Sequence, residues 1–254
     1  MEKIAEICCG SFEDAKQAAL GGAKRIELNS ALFMGGLTPS IGTLKLVKEQ
    51  CHLDVVAMVR PRGAGFCYSE LEYETMLEDC RILLENGADG IAFGFLNPDC
   101  SVDVGRTKEF TALIHSYRKV AVFHRAFDCV ENPYASIEQI IDAKVDRVLT
   151  SGLREKAWEG IPVIAGLQKR YGSAIQLLAG SGIHAGNAAK IMEQTGISQV
   201  HSSCKDWHID STTKGNHVSY AYACGKFESS YDVVSRVLVQ KLVRVVEKQY
   251  EHYK

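Results

Sequence analysis

Four apolar residues, Val120 to Phe123, run directly into His124 and Arg125, with Asp128 three positions further on. Burying ionisable side chains without partners is costly, so a strand that finishes on three of them points to a polar opening. A histidine beside carboxylates can shuttle protons near neutral pH. Arginine suits bidentate binding of carboxylate or phosphate. The same run also fits a structural histidine, hydrogen-bonded to Asp128 or to a backbone carbonyl.

Charge recurs in this way along the chain. Short β-branched runs at 4–9, 25–30, 54–60, 90–95, 119–125, 147–151, 174–180 and 199–203 alternate with longer helical patterns. Their starts lie 21, 29, 36, 29, 28, 27 and 25 residues apart. Eight βα-sized units predict a parallel sheet closed into a single-domain (β/α)8 TIM-like barrel, an α/β fold spanning 1–254. Phe12, Ala15, Ala18 and Ala19 repeat at helix spacing, as do Met76, Leu77, Cys80, Leu83 and Leu84. Asn132-Pro133 reads as a helix cap with a first-turn proline. Gly21, Gly87 and Gly196 stand where helices should stop. After strand 8, the polar stretch from Cys204 to Ser230 reads as a loop or flexible lid. Val234, Leu238, Leu242 and Val245 then form an apolar stripe on a closing helix.

Barrel sites lie at the C-terminal ends of the strands. Those ends carry Glu6 and Cys8, Glu27 and Asn29, Arg60-Pro61-Arg62-Gly63, and His124 with Arg125 and Asp128. The later ends carry Thr150-Ser151-Gly152, Gly180-Ser181-Gly182 and His201-Ser202-Ser203. Alternate side chains share a strand face, so Glu6 with Cys8, Glu27 with Asn29, Met58 with Arg60, and Val122 with His124 can point inward together. Two sets emerge. Glu6, Glu27, His124 and Asp128 are acid/base candidates. Arg60, Arg62, Arg125, Ser151, Gly180, Gly182, His201 and Ser203 are candidate contacts for an anion, since barrels often hold phosphate on the loops after strands 7 and 8. The competing reading is a buried ion-pair layer in which Glu6, Glu27, Arg60 and Arg62 only hold the barrel together.

Several chemistries are disfavoured. A Schiff-base site wants a strand-end lysine, and only Lys205 comes near. No CxxC spacing marks a zinc site. No organic cofactor motif is evident. The 254 residues carry 29 basic and 31 acidic side chains without a basic block, which argues against nucleic acid. No apolar run reaches the roughly 20 residues of a membrane helix, and no signal peptide opens the chain. Nine cysteines without framework spacing suggest reduced thiols in the cytoplasm. For a soft metal such as Cu(I), Cys8 is the best ligand candidate, with Met58 on an inward face and a weak H-x-x-C spacing at His201 and Cys204. Tyr68 could hydrogen-bond a ligand or be an ordinary surface tyrosine.

Arg25-Ile26-Glu27-Leu28, Gly35-Gly36-Leu37-Thr38-Pro39-Ser40, Arg60-Pro61-Arg62-Gly63, Phe123-His124-Arg125-Ala126-Phe127-Asp128 and Leu149-Thr150-Ser151-Gly152 together resemble the CutC copper-homeostasis family. The resemblance runs from the first strand past His201. It implies a TIM-like barrel, a cytoplasmic location, copper homeostasis or Cu(I) binding, and homo-oligomerisation. It also implies copper-binding cysteines at the ends of strands 1 and 2. Cys8 matches the first, while Asn29 stands at the second. The family's Arg-Pro-Arg-Gly usually continues Gly-Asp-Phe, but here Ala64-Gly65-Phe66 lacks the acid, and Ser181 interrupts the glycine run after strand 7. Two functions are therefore expected from different classes. One is Cu(I) binding through Cys8. The other is acid/base catalysis on a small phosphorylated or carboxylated metabolite.

Overall fold

The structure is a computed structural model and describes residues 3–248. Eight parallel strands close into a barrel in sequence order. They are β1 (Ile4–Cys9), β2 (Arg25–Leu28), β3 (Asp54–Met58), β4 (Gly90–Phe93), β5 (Val120–Phe123), β6 (Arg147–Thr150), β7 (Gln176–Ala179) and β8 (Gln199–Ser202). Seven helices lie between consecutive strands: α1 (Phe12–Leu20), α2 (Ile41–Gln50), α3 (Glu70–Glu85), α4 (Val104–Ser116), α5 (Pro133–Asp142), α6 (Ile161–Tyr171) and α7 (Ala188–Thr195). This is the single-domain (β/α)8 fold that the eight-unit spacing predicts.

Local chemistry sets the helix ends. Ser69 and Glu72 form a reciprocal capping box on α3. Asn132 caps α5 with Pro133 in its first turn, as expected. Gly21 and Gly196 terminate α1 and α7. The outward strand residues, among them Ile7, Ile26, Val55, Ile91, Phe93, Phe123 and Val148, pack against the helices in the main hydrophobic core.

The stretch after β8 departs from the expected loop. Lys205–Ile209 forms β9 and pairs antiparallel with β10 (Ser230–Val234). Its alternation is short, and four of the five β9 residues are exposed, so hydrophobic periodicity carries no strand signal. Backbone pairing and aromatic stacking hold it instead: Trp207 stacks on Phe227 at 4.5 Å, and Tyr222 on Phe33 at 4.7 Å. Val234 belongs to this ribbon, and its N–H donates to Asp14 Oδ1 at 2.7 Å. The closing helix α8 (Arg236–Lys248) buries Val239, Leu242 and Val246 and leaves Leu238 largely exposed. The stripe thus keeps Leu242 but runs through Val239 and Val246 in place of the expected Leu238 and Val245.

The barrel interior has two unlike halves. Val56 and Met58 of β3, Ala92 of β4 and Val122 of β5 form a small apolar cluster. Facing them is a polar layer, in which Arg25 donates from Nε to Glu6 Oε2 at 2.6 Å and from Nη2 to Gln199 Oε1 at 2.6 Å. Gln176 Oε1 accepts from Arg147 and from Gln199. Arg147 Nη1 lies 3.9 Å from Glu6 Oε2. The ion-pair layer read from the sequence therefore exists, but Arg25 and Arg147 supply its cations in place of Arg60 and Arg62. Breaking a buried pair leaves an uncompensated charge. Arg25→Met is expected to cost about 3 kcal/mol or more in urea unfolding followed by circular dichroism. A loss below about 1 kcal/mol would show that the layer adds little.

Candidate functional site

Above the polar layer, the C-terminal rim holds a cavity of about 110 Å³. Cys8, Glu27, Asn29, Met58, Arg60, Phe66, His124, Arg125, Leu149 and His201 contribute to its lining. Inward parity explains most of this set. Glu6 and Cys8 stand opposite Arg25 and Glu27 across the β1–β2 register, and Glu6 also stands opposite His201 across β1–β8. Arg60 and His124 lie just past the ends of β3 and β5, where the strands open onto the mouth.

One wall of the cavity is a donor cluster. Cys8, Glu27 and His201 place their ligand atoms within 4.8 Å of one another. Glu27 Oε2 lies 3.8 Å from Cys8 Sγ and 4.0 Å from His201 Nε2. Asn29 Nδ2 donates to the same Glu27 oxygen at 2.9 Å. Behind the cluster, Glu6 Oε1 meets His201 Nδ1 at 2.9 Å and so fixes the ring with Nε2 toward the cavity. Burial works against ionisation of Glu6, but Arg25, His201 and Arg147 overcome it and hold the carboxyl down at about 2. Burial pushes the Cys8 thiol up to about 11. Burial also opposes the charge on His201, yet Glu27, Cys8 and Glu6 keep the imidazolium well above the ordinary histidine range. Glu27 is raised by burial and by Glu6.

The opposite wall is cationic and carries unpartnered donors. Arg60 is buried, and its guanidinium donates to three carbonyls, of Met34, Gly36 and Ala64. Among the described residues no carboxylate pairs with it, and its Nε–H has no acceptor. Its ring neighbour is Phe66, at 5.0 Å. His124 Nδ1 accepts from the Ala126 N–H at 3.1 Å, which leaves the proton on Nε2, and Nε2 also has no partner. Burial and then Arg60 push His124 down to about 3, so it is neutral at physiological pH. Two glycines make room for these groups. A Cβ on Gly36, which has φ +86°, would sit 2.3 Å from Asn29 Oδ1, and one on Gly94 would sit 2.6 Å from the His124 ring.

The remaining sequence candidates are placed elsewhere. Asp128 does not orient His124. It accepts from Arg125 Nε, Thr150 Oγ1, the Ser151 N–H and Oγ, and the Leu153 N–H, and so anchors the end of β6. Ser151 is fully buried in that network, and Arg125 reaches both Asp128 and Ser151 while lining the cavity. Arg62 turns outward to Glu72 and to the carbonyls of Gly63, Gly65 and Cys67. The loop after β7 is filled by the chain itself. Ser181 Oγ donates to the Glu155 carbonyl, the Ala157 N–H donates to Ser181, and Lys156 lies over Gly182. Gly180, Gly182 and Ser203 do not contribute to the cavity lining. Tyr68 is buried, not a surface residue, and its hydroxyl faces the Arg60 guanidinium.

Fold and site together define a class: a (β/α)8 barrel with a thiol–carboxylate–imidazole cluster beneath its C-terminal rim. The CutC family profile matches residues 3–206, and the chain belongs to that family. A CutC family protein of Treponema denticola is 47% identical over 240 residues, covering 94% of this chain and 97% of the relative. A copper homeostasis protein cutC homolog of Mus musculus is 38% identical over 230 residues, covering 91% and 84%. A solved CutC structure from Streptococcus agalactiae superposes with TM-score 0.74 at 28% identity, covering 79% of this chain and 98% of that one. Phosphoribosyl anthranilate isomerase from Thermococcus kodakaraensis, at TM-score 0.54 and 15% identity, covering 96% and 98%, shares the fold alone. No helix among the described residues is long and apolar enough to cross a membrane.

Two outcomes follow from this geometry. Gly94→Ala drives a methyl group into the His124 ring and should cost about 1–3 kcal/mol, read by thermal unfolding. The lowered histidine makes a signed prediction. The unfolded chain takes up a proton near pH 6.5, while the folded chain resists until about 3. Stability therefore falls as pH drops through that window, by up to ~1.4 kcal/mol per pH unit from this residue. His124→Phe should flatten that slope above about pH 5, where Glu6 remains ionised in both states. Parallel wild-type and variant curves in urea would rule out His124 as the source.

Proposed function

We propose that this protein binds Cu(I) in the cytoplasm, as cargo for copper homeostasis, through Cys8 and His201 with Glu27 beside them. The observation that carries the reading is the approach of a thiol, an imidazole and a carboxylate to within 4.8 Å. Thiolate and imidazole suit Cu(I), and Glu6 on the far nitrogen of His201 is the kind of outer partner that orients a ligating histidine. Asn29 stands where the family implies a second thiolate, so the soft character of the site rests on Cys8. Nine free cysteines support a reducing, cytoplasmic setting.

Metal must displace protons from Cys8, whose thiol sits at about 11, and from His201. Affinity should therefore rise with pH. Titration of reduced protein against a colorimetric Cu(I) chelator, without oxygen, is expected to show one equivalent bound, with binding lost in Cys8→Ser and strengthened from pH 6 to about 8. Unchanged affinity in Cys8→Ser would remove the reading.

The other wall of the cavity favours a second reading, an enzyme acting on a small anion. It rests on Arg60, a buried guanidinium with no carboxylate partner among the described residues. In that reading Glu27 and His201 replace His124 and Asp128 as the proton-handling pair, because His124 stays neutral and is too weak a base to take up a proton near neutrality. Arg60 and Arg125 face the substrate, and Arg62 and the loop after β7 have no part.

A further inference from the structure

We infer that the anion this cavity takes is a small monocarboxylate, held by Arg60 and His124 against the apolar surfaces of Met58, Leu149 and Phe66. The inference rests on the second reading above and names its substrate class. Four observations carry it. The cavity, about 110 Å³, is small and so favours a small ligand. The loop after β7, where barrels often bind phosphate, is closed by the segment around Glu155 to Ala157. Two buried side-chain donors on residues that line the chamber lack acceptors, Arg60 Nε–H and His124 Nε2–H, as many donors as a carboxylate has oxygens. Finally, Glu27 on the facing wall and Glu6 behind it repel a dianion more than a monoanion.

The charge count agrees. Glu6 is matched within the polar layer by Arg25, whereas the Arg60 charge meets carbonyl dipoles, the Phe66 ring and the Tyr68 hydroxyl, and no carboxylate among the described residues. An incoming carboxylate would supply the missing counter-charge in a partly desolvated place, where a charge-assisted hydrogen bond is strongest. A neutral His124 adds a donor there without a second cation, so one negative charge is what the wall can match. A carboxylate held there leaves the rest of the acid in the same chamber as Cys8, Glu27 and His201, the groups able to move a proton.

The test is ligand-observed NMR and calorimetry on metal-free protein with acetate, pyruvate and inorganic phosphate, so that copper binding plays no part. Saturable pyruvate or acetate binding is expected, weakened roughly tenfold or more in His124→Phe and in Arg60→Gln. Arg60 also ties two loops together, so His124→Phe carries the test should Arg60→Gln fail to fold. Phosphate binding without carboxylate binding would overturn the monocarboxylate and leave the anion reading standing. No binding of any of the three would overturn both. Carboxylate binding that His124→Phe leaves unchanged would overturn the assignment of the site.

Discussion

Glu6 is a carboxylate at 1% exposure, and its ionisation organises the molecule around it. One oxygen takes Arg25 and the other takes His201, so a single group joins β1 to both of its neighbours through side chains as well as backbone. A buried charge of this kind is tolerable only when its partners are well placed. Arg25 is held in turn by Gln199, which shares Gln176 with Arg147. The position of His201 and the direction of its free nitrogen follow from that network. The donor cluster at the mouth is therefore the exposed edge of a structural layer, and the two descriptions of these charges, structural and chemical, apply to one continuous set of residues.

The cavity above this layer is electrically divided. Its β1, β2 and β8 side presents a thiol, a carboxylate and an imidazolium that share protons. Its β3 and β5 side presents a guanidinium and a neutral imidazole with donors facing no acceptor. The division follows from inward residues two apart on each strand, combined with an apolar cluster of Val56, Met58, Ala92 and Val122 that reaches the cavity through Met58. Water-poor apolar lining strengthens interactions on both sides. The two proposals made for the chamber, a soft cation and a small anion, thus draw on opposite walls of it, which gives physical content to the tension between them.

Much of this was legible in the sequence wherever period-2 parity applied. The barrel, the inward phase of Glu6 with Cys8, Glu27 with Asn29, and His124 after β5 all follow from strand spacing. Parity fails past the strand end, and there the expectations went astray: Arg62 turns outward to Glu72, and Asp128 bends back to β6. The ion-pair layer was anticipated, but its true partners Arg25 and Gln199 were missed although their signal was present. Arg25 precedes Glu27 by two, and Gln199 precedes His201 by two, so both share the inward face with residues already singled out. They passed as ordinary polar residues at strand starts. The closure of the loop after β7 had no local signal, because Glu155 and Ala157 reach it from the preceding βα unit. The β9–β10 ribbon was invisible for a related reason, since its faces are too exposed to leave an apolar rhythm.

The contact between Glu6 and His201 also has a consequence for how the chain acquires its shape. The two residues are 195 positions apart, across the seam where the first strand meets the last. Contacts that distant form late, because the loop entropy is lost before the contact returns any energy. Until β8 docks, Glu6 has only one of its two neighbouring strands, and Cys8 and Glu27 face no imidazole. The chamber is consequently a product of ring closure, assembled in the same event that completes the barrel. Anything that binds it holds the seam shut, so a ligand for this site is also a clasp for the whole ring.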